Sequence, residues 1–157
     1  MVKLCRLRQN LTRKNAIEIT SAVCKELKEL GISFMFADRF ESVFCNVENA
    51  VFVSESELLD AVDLVISIGG DGSMIHAAKQ AAVKGKKILG INAGHLAYLC
   101  GIDADELSML SCLLTDQYET DERMLLNVEL IEDDHRVFSG ICVNDLVVSR
   151  GVNLNLV

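Results

Sequence analysis

The run Leu64-Val65-Ile66-Ser67-Ile68, followed at once by Gly69-Gly70-Asp71-Gly72-Ser73, restricts this chain more than any other feature. A nearly unbroken apolar run fits a strand covered on both faces, as in a parallel sheet. Helix formers resume directly behind the glycines, with Met74, Ile75, Ala77, Ala78, Ala81 and Ala82 in the stretch to Lys84. The glycine segment therefore joins a buried strand to a helix. At such a junction the helix presents unpaired N–H groups and the positive end of its dipole. Glycine lets the backbone turn sharply and approach a ligand closely, because no Cβ intervenes. The segment lies at the carboxyl end of a strand, where open α/β sheets bind ligands, and it has the make-up of a phosphate cradle.

The flanking sequence repeats the alternation of strand and helix. Val2–Leu7 predicts a short strand, and Asn15–Leu30 a helix whose stripe is Ala16, Ile19, Val23, Leu27 and Leu30. Gly31 stands where a residue tolerant of positive φ ends a helix. Ile32–Ala37 and Ile88–Ile91 read as buried strands, and Asp38–Asn49 as loop with a partial turn. Ser54-Glu55-Ser56-Glu57 offers a capping box for a short helix with Leu58, Leu59 and Val62 on its apolar face. Asp103-Ala104-Asp105-Glu106 is expected to cap a helix running to about Leu114. Near Gln117 the style changes. Leu126, Val128 and Leu130 alternate with their neighbours, Asp133-Asp134-His135 predicts a turn, and Val137–Val143 and Leu146–Val148 read as strands. Strand–helix alternation before residues 116–120 and strand after strand behind them place a domain boundary there.

Composition narrows the partners. The 157 residues are half hydrophobic, enough for a core, and carry a formal charge of −8. A fold devoted to a nucleic-acid backbone would lean the other way, so an anionic ligand must be held by local donors. The six cysteines, at 5, 24, 45, 100, 112 and 142, form no Cys-x-x-Cys pair, which argues against a zinc ribbon and a thioredoxin-like site. They are expected to be reduced thiols, with Cys24, Cys100 and Cys142 as small buried hydrophobes. The basic segment Met1–Arg13 has no apolar core and is not expected to act as a signal peptide. No apolar stretch is long enough to span a membrane.

The loop matches neither common phosphate motif. Ile75 stands where Gly-x-Gly-x-x-Gly needs its third glycine, and no P-loop pattern occurs. Its distinguishing member is Asp71. A carboxylate among phosphate donors can take a proton from a hydroxyl nucleophile or hold Mg²⁺ beside the phosphates. The plain alternative is an Asp in a tight turn capping its helix. Asn92-Ala93-Gly94-His95 follows the next strand as a turn, with His95 either a phosphate donor or a surface histidine. Asn144 and Asp145 interrupt an apolar run, where an unpaired amide and carboxylate cost free energy. They can read a base edge and two ribose hydroxyls, or form a hairpin turn or bulge.

Together these segments resemble the NAD kinase family, which phosphorylates NAD to NADP. Gly69-Gly70-Asp71-Gly72 is similar to its signature loop, with Ser73 where Thr is commoner. Asn92-Ala93-Gly94-His95-Leu96-Ala97-Tyr98-Leu99 is similar to its Asn-x-Gly-x-Leu-Gly-Phe-Leu segment. Glu122-Arg123-Met124-Leu125-Leu126 resembles the strand that opens its second domain, and Asn144-Asp145 its Asn-Glu/Asp motif. The resemblance implies that Asp71 is the general base on the 2′-hydroxyl of the adenosine ribose of NAD. It implies that Gly72 contacts the dinucleotide through its backbone, and that Gly69, Gly70 and Gly72 form the phosphate loop. His76 falls where the family has a basic side chain that reaches phosphate; otherwise it is a helix-surface histidine. Asn144 and Asp145 would hydrogen-bond the base and ribose of NAD. ATP, or polyphosphate as in some members, would be the donor, with Mg²⁺ or another divalent cation neutralising developing charge and no metal ligand assigned to the chain. The sequence departs from the family in lacking the Thr-Pro-Thr-Gly-Ser-Thr-Ala-Tyr-like segment of a larger all-β domain. It also has Gln9-Asn10-Leu11 near the usual Asn-Pro.

The expected fold is α/β: a parallel-sheet nucleotide-binding domain over residues 1–118, then over 119–157 the first strands of an all-β domain. The expected function is a NAD kinase acting on NAD and ATP, cytoplasmic and homo-oligomeric, with no nucleic-acid or membrane partner. Two other readings stand beside it. One is a non-catalytic nucleotide-binding fragment or subunit. The other is a lipid or diacylglycerol kinase-like domain, whose loop also carries Gly-Gly-Asp-Gly; the segments at 92–99 and 142–151 argue against it. The apolar ending Gly151–Val157 is expected to stop inside a β-region, in a fragment of a longer protein or a chain that needs a partner.

Overall fold

The computed structural model describes residues 1–11, 15–94, 96–143 and 145–148. In chain order the elements begin with β1 (Leu4–Gln9), α1 (Ala16–Glu29), β2 (Ser33–Ala37), a 3₁₀ turn (Asp38–Phe40), α2 (Glu41–Phe44) and β3 (Val51–Val53). They continue with α3 (Glu55–Ala61), β4 (Leu64–Gly69), α4 (Asp71–Val83), β5 (Lys87–Asn92) and β6 (Ile102–Asp103). A 3₁₀ turn (Leu107–Ser111), α5 (Cys112–Thr115), β7 (Leu125–Glu132) and β8 (His135–Val143) complete the order. The chain divides into two compact units between Thr120 and Asp121.

The first unit is a six-stranded sheet in the order β3-β2-β1-β4-β5-β6, parallel throughout. Every residue of β4 is buried, as its apolar run predicts. Leu64, Ile66 and Ile68 face a core completed by Val23, Cys24 and Leu27 of α1 and by Leu110 and Leu113. Val65, on the opposite face, packs with Val62 and with Ala77 and Ala81 of α4. Helices thus cover both faces, which is the condition for a parallel sheet. Gly31 ends the first helix region with φ +70°, as expected.

Several local expectations are corrected. Asp38–Asn49, expected to be mostly loop, contains a 3₁₀ turn and α2, because Phe44 stacks on Phe36 at 4.9 Å between ring centroids. Strand β3 was not anticipated; three residues are too few to display a period of two, and pairing with β2 defines it. Ser54 does not complete a capping box. Its hydroxyl bonds the Glu57 carboxylate at 2.6 Å, while the Glu57 N–H donates to the Ser54 carbonyl. Asp103 belongs to β6 rather than to a helix cap, and the expected helix is a 3₁₀ turn plus the short α5.

In the second unit β7 and β8 pair antiparallel across a two-residue turn. Asp133 and Asp134 both have positive φ (49° and 61°), the conformation that matches strand twist in tight hairpins. Leu146–Val148 form no strand. Residues Asn144 and Gly151–Val157 lie outside the described residues.

Candidate functional site

The carboxyl edge of the sheet gathers the site. Gln9 lies opposite Ile68, and Gly69 opposite Asn92, so β1, β4 and β5 end level. The chain leaving β1 is tied to β4 by Asn10 N–H on the Ile68 carbonyl (3.1 Å), and the chain leaving β5 by Ala93 N–H on the Gly69 carbonyl (2.8 Å). The chain runs from β1 outward through β2 to β3, then returns to place β4 on the other side of β1. This reversal opens a crevice where doubly wound sheets take ligands.

The crevice holds a cavity of about 310 Å³ lined by Arg8, Gln9, Asn10, Ser67, Ser73 and His76, among others. Gly72 also lines it, four residues before His76 and so on the same face of α4. Gln9 is 6% exposed and Ser67 1% exposed. Neither the Gln9 amide atoms nor the Ser67 hydroxyl has a hydrogen-bond partner, although a buried polar group of this kind is normally satisfied. Arg8 Nη1 donates to the Ser73 carbonyl at 3.3 Å. Burial lowers the pKa of Arg8, the nearby Arg6 and Arg39 lower it further, and Glu55 opposes them. Arg6, Arg8 and Arg39 are thus close enough to act on one another with Glu55 as their nearby carboxylate, and Arg8 lines the cavity. An anion placed there relieves that imbalance, in a chain whose overall charge is −8.

The three glycines do different work. A Cβ on Gly69 would stand 2.4 Å from Ser73 Oγ, so packing demands glycine there. A Cβ on Gly72 would meet nothing within 4 Å. Gly70 precedes α4 in extended backbone (φ −121°, ψ −167°), and its carbonyl accepts the Met74 N–H at 3.0 Å. None of the three needs positive φ.

Asp71 opens α4, yet its carboxylate does not cap the helix. Oδ1 accepts the Leu99 N–H at 2.9 Å and Oδ2 the Tyr98 N–H at 3.2 Å. The plain capping role is therefore excluded, and the group faces the chain that follows β5. Asp71 is absent from the lining of the cavity, which lies on the Ser73–His76 side of the helix. His76 is exposed. Asp145, in the second unit, is exposed just past β8, with its N–H on the Val143 carbonyl at 3.2 Å. Asn144 and His95 lie outside the described residues. Among the described residues no three His, Cys, Asp or Glu side chains gather as a metal site, and no helix is long and apolar enough to cross a membrane.

Sequence reasoning missed Arg8, Gln9 and Ser67. The signal available was the charge at Arg6 and Arg8 within the strand Leu4–Gln9, where alternate positions face one side of a covered sheet.

A parallel sheet of order 3-2-1-4-5-6 with a glycine loop and helix start at its switch point defines a doubly wound nucleotide-binding domain. More particularly, the chain belongs to the NAD kinase family, since residues 6–118 match its ATP-NAD kinase N-terminal domain. It is 29% identical over 143 residues to the NAD kinase of Acetivibrio thermocellus, covering 90% of this chain and 49% of that protein. It is 32% identical over 151 residues to the NAD kinase of Acinetobacter baylyi, covering 92% and 48%. The chain thus spans about half the length of these curated relatives. The crystal structure of yeast NADH kinase complexed with NADH has the same fold, with a TM-score of 0.76 at 14% identity, over 90% of this chain and 46% of that one.

Proposed function

We propose that the protein takes part in NAD phosphorylation, with Asp71 as general base on the 2′-hydroxyl of the adenosine ribose and ATP as donor. The observation that carries this reading is the setting of Asp71. It stands at the head of a helix at the switch point, and each of its oxygens accepts one backbone N–H. Each oxygen keeps a further lone pair for a substrate hydroxyl. In the reaction the 2′-oxygen attacks the γ-phosphorus, the bond from phosphorus to the β-phosphate oxygen breaks, and ADP leaves. The hydroxyl proton passes to Asp71.

The first turn of α4, with Gly69, Gly70 and Gly72, supplies N–H donors to phosphate, and the Arg8 guanidinium and the His76 imidazole line the cavity as side-chain donors. Asn144 and Asp145 are the proposed contacts of the base and ribose of NAD. Mg²⁺ would enter with the donor's phosphates, which usually supply part of its coordination at phosphoryl-transfer sites. When bound it neutralises charge on the transferring phosphoryl group. The same reading places the protein in the cytoplasm as a homo-oligomer, with an α/β domain over 1–118 and the start of an all-β domain over 119–157.

The test is Asp71→Asn in the full natural chain, assayed for NADP from NAD and ATP. Turnover is expected to fall by about 10²–10⁴-fold with NAD binding largely retained. NADP formation at the wild-type rate would overturn the role of Asp71. Nucleotide binding without turnover in the unsubstituted protein would instead favour a binding module.

A further inference from the structure

Asn92, the last residue of β5, is 8% exposed and spends its side chain on two bonds. Its Nδ2 donates to Asp103 Oδ1 at 2.8 Å, and its Oδ1 accepts the Gly94 N–H at 2.9 Å. Asp103 ends β6 and lies directly opposite Asn92 in the parallel register. Between the two residues the chain leaves the sheet and returns. It is pinned at its exit by Ala93 N–H on the Gly69 carbonyl (2.8 Å) and at its re-entry by Gly101 N–H on the Gly90 carbonyl (2.9 Å). On the way it supplies the Tyr98 and Leu99 amides that hold Asp71.

One excursion is thus clamped at its neck by a side-chain bridge and carries the donors of Asp71 further along. A carboxylate with one N–H on each oxygen cannot rotate freely, so the position of those amides sets its plane. Resting on the reading of Asp71 as the base, we infer that Asn92 and Asp103 are positioning residues. Their bridge fixes the excursion whose amides aim Asp71 at the substrate hydroxyl. Neither side chain needs to touch substrate for this.

The bridge can be reversed without being broken. Asn92→Asp alone sets two carboxylates against each other. Combined with Asp103→Asn, it restores both hydrogen bonds, because the new carboxylate accepts from Gly94 N–H and from the new amide. The measurements, on the full natural chain, are hydrogen exchange at the Leu99 amide and steady-state kinetics with NAD and ATP. Asn92→Asp is expected to speed Leu99 exchange and lower kcat about 10- to 100-fold, with KM for NAD largely unchanged. The double variant is expected to restore both. If the single variant does not fold, the double variant alone must show wild-type exchange and kcat. Unchanged Leu99 exchange in Asn92→Asp, or a double variant as slow as the single, would overturn the inference. A wild-type protein that makes no NADP would overturn the functional reading instead, and the exchange comparison would still decide whether the bridge sets the excursion.

Discussion

Gly69 and Ser73 meet so closely that a Cβ on the glycine would lie 2.4 Å from the serine Oγ and 2.7 Å from its Cβ. The end of the buried strand and the first turn of α4 therefore touch without a side chain between them. Gly72, three residues on, has open space where its Cβ would be. On the proposed reading, the first glycine serves packing and the second serves ligand approach. Gly69→Ala is expected to destabilise the fold by about 1–3 kcal/mol, as overpacking does. Gly72→Ala is expected to leave stability unchanged or raised by up to about 1 kcal/mol, while weakening nucleotide binding. Thermal melts and ATP and NAD titrations on both variants check the pair. Equal destabilisation would show that the two positions do the same work.

Arg6 is 1% exposed and forms an ion pair with Glu55, which also pairs with Arg39 at 2.9 Å. Removing that carboxylate leaves a buried guanidinium without its anion. Glu55→Gln is expected to cost about 3 kcal/mol, the low end for a broken buried pair, because the Glu55 side chain is 33% exposed. Arg6→Met added to Glu55→Gln should recover most of the loss. Urea unfolding midpoints report both effects, and an unmoved midpoint in Glu55→Gln would refute the dependence.

Burial pushes the Cys5 and Cys24 thiols up to about 12 from the usual 9.0, with the Asp63 charge adding to the effect at Cys5. Between those pH values the unfolded chain has released thiol protons that the folded chain retains. Stability is therefore fully present below pH 9 and falls as pH rises toward 12. Alkaline unfolding monitored across that window tests the sign. Under native conditions near neutral pH, the exposed Cys45 should alkylate well before Cys5 or Cys24, as read by peptide mass spectrometry. Equal rates would show that the two buried thiols are open to solvent.

The central elements were legible because their signals are local. The β4 run, the α1 stripe, Gly31 and the glycine segment each declare themselves within a few residues. The same holds for the position of Asp71 at a helix start. What stayed hidden depends on which strands become neighbours. Arg8 and Ser67 share a cavity only because β1 and β4 pair, and Asp103 meets Asn92 only because β6 docks on β5. Asp103 was expected to cap a helix, since an Asp with a Glu three residues later fits that pattern. Its carboxylate found a stronger claim in Asn92, and only the Asp103 N–H bond to Glu106 at 3.0 Å follows the local pattern. The separation between the Ser73–His76 side of α4 and the carboxylate of Asp71 is likewise a matter of side-chain direction, which spacing alone leaves open.

The first strand made is the one in the middle. Cys5 pairs with Leu64 and Gln9 with Ile68, so β1 waits for most of sixty residues before its second neighbour exists. Pairings of such separation are slow to form, because closing the intervening chain costs entropy before the contacts repay it. The crevice between β1 and β4 therefore cannot exist until β4 has been made and paired. A nascent chain interrupted before β4 has Arg8 but lacks the Ser67, Ser73 and His76 side of the cavity, which ties the making of the proposed phosphate site to completion of the sheet.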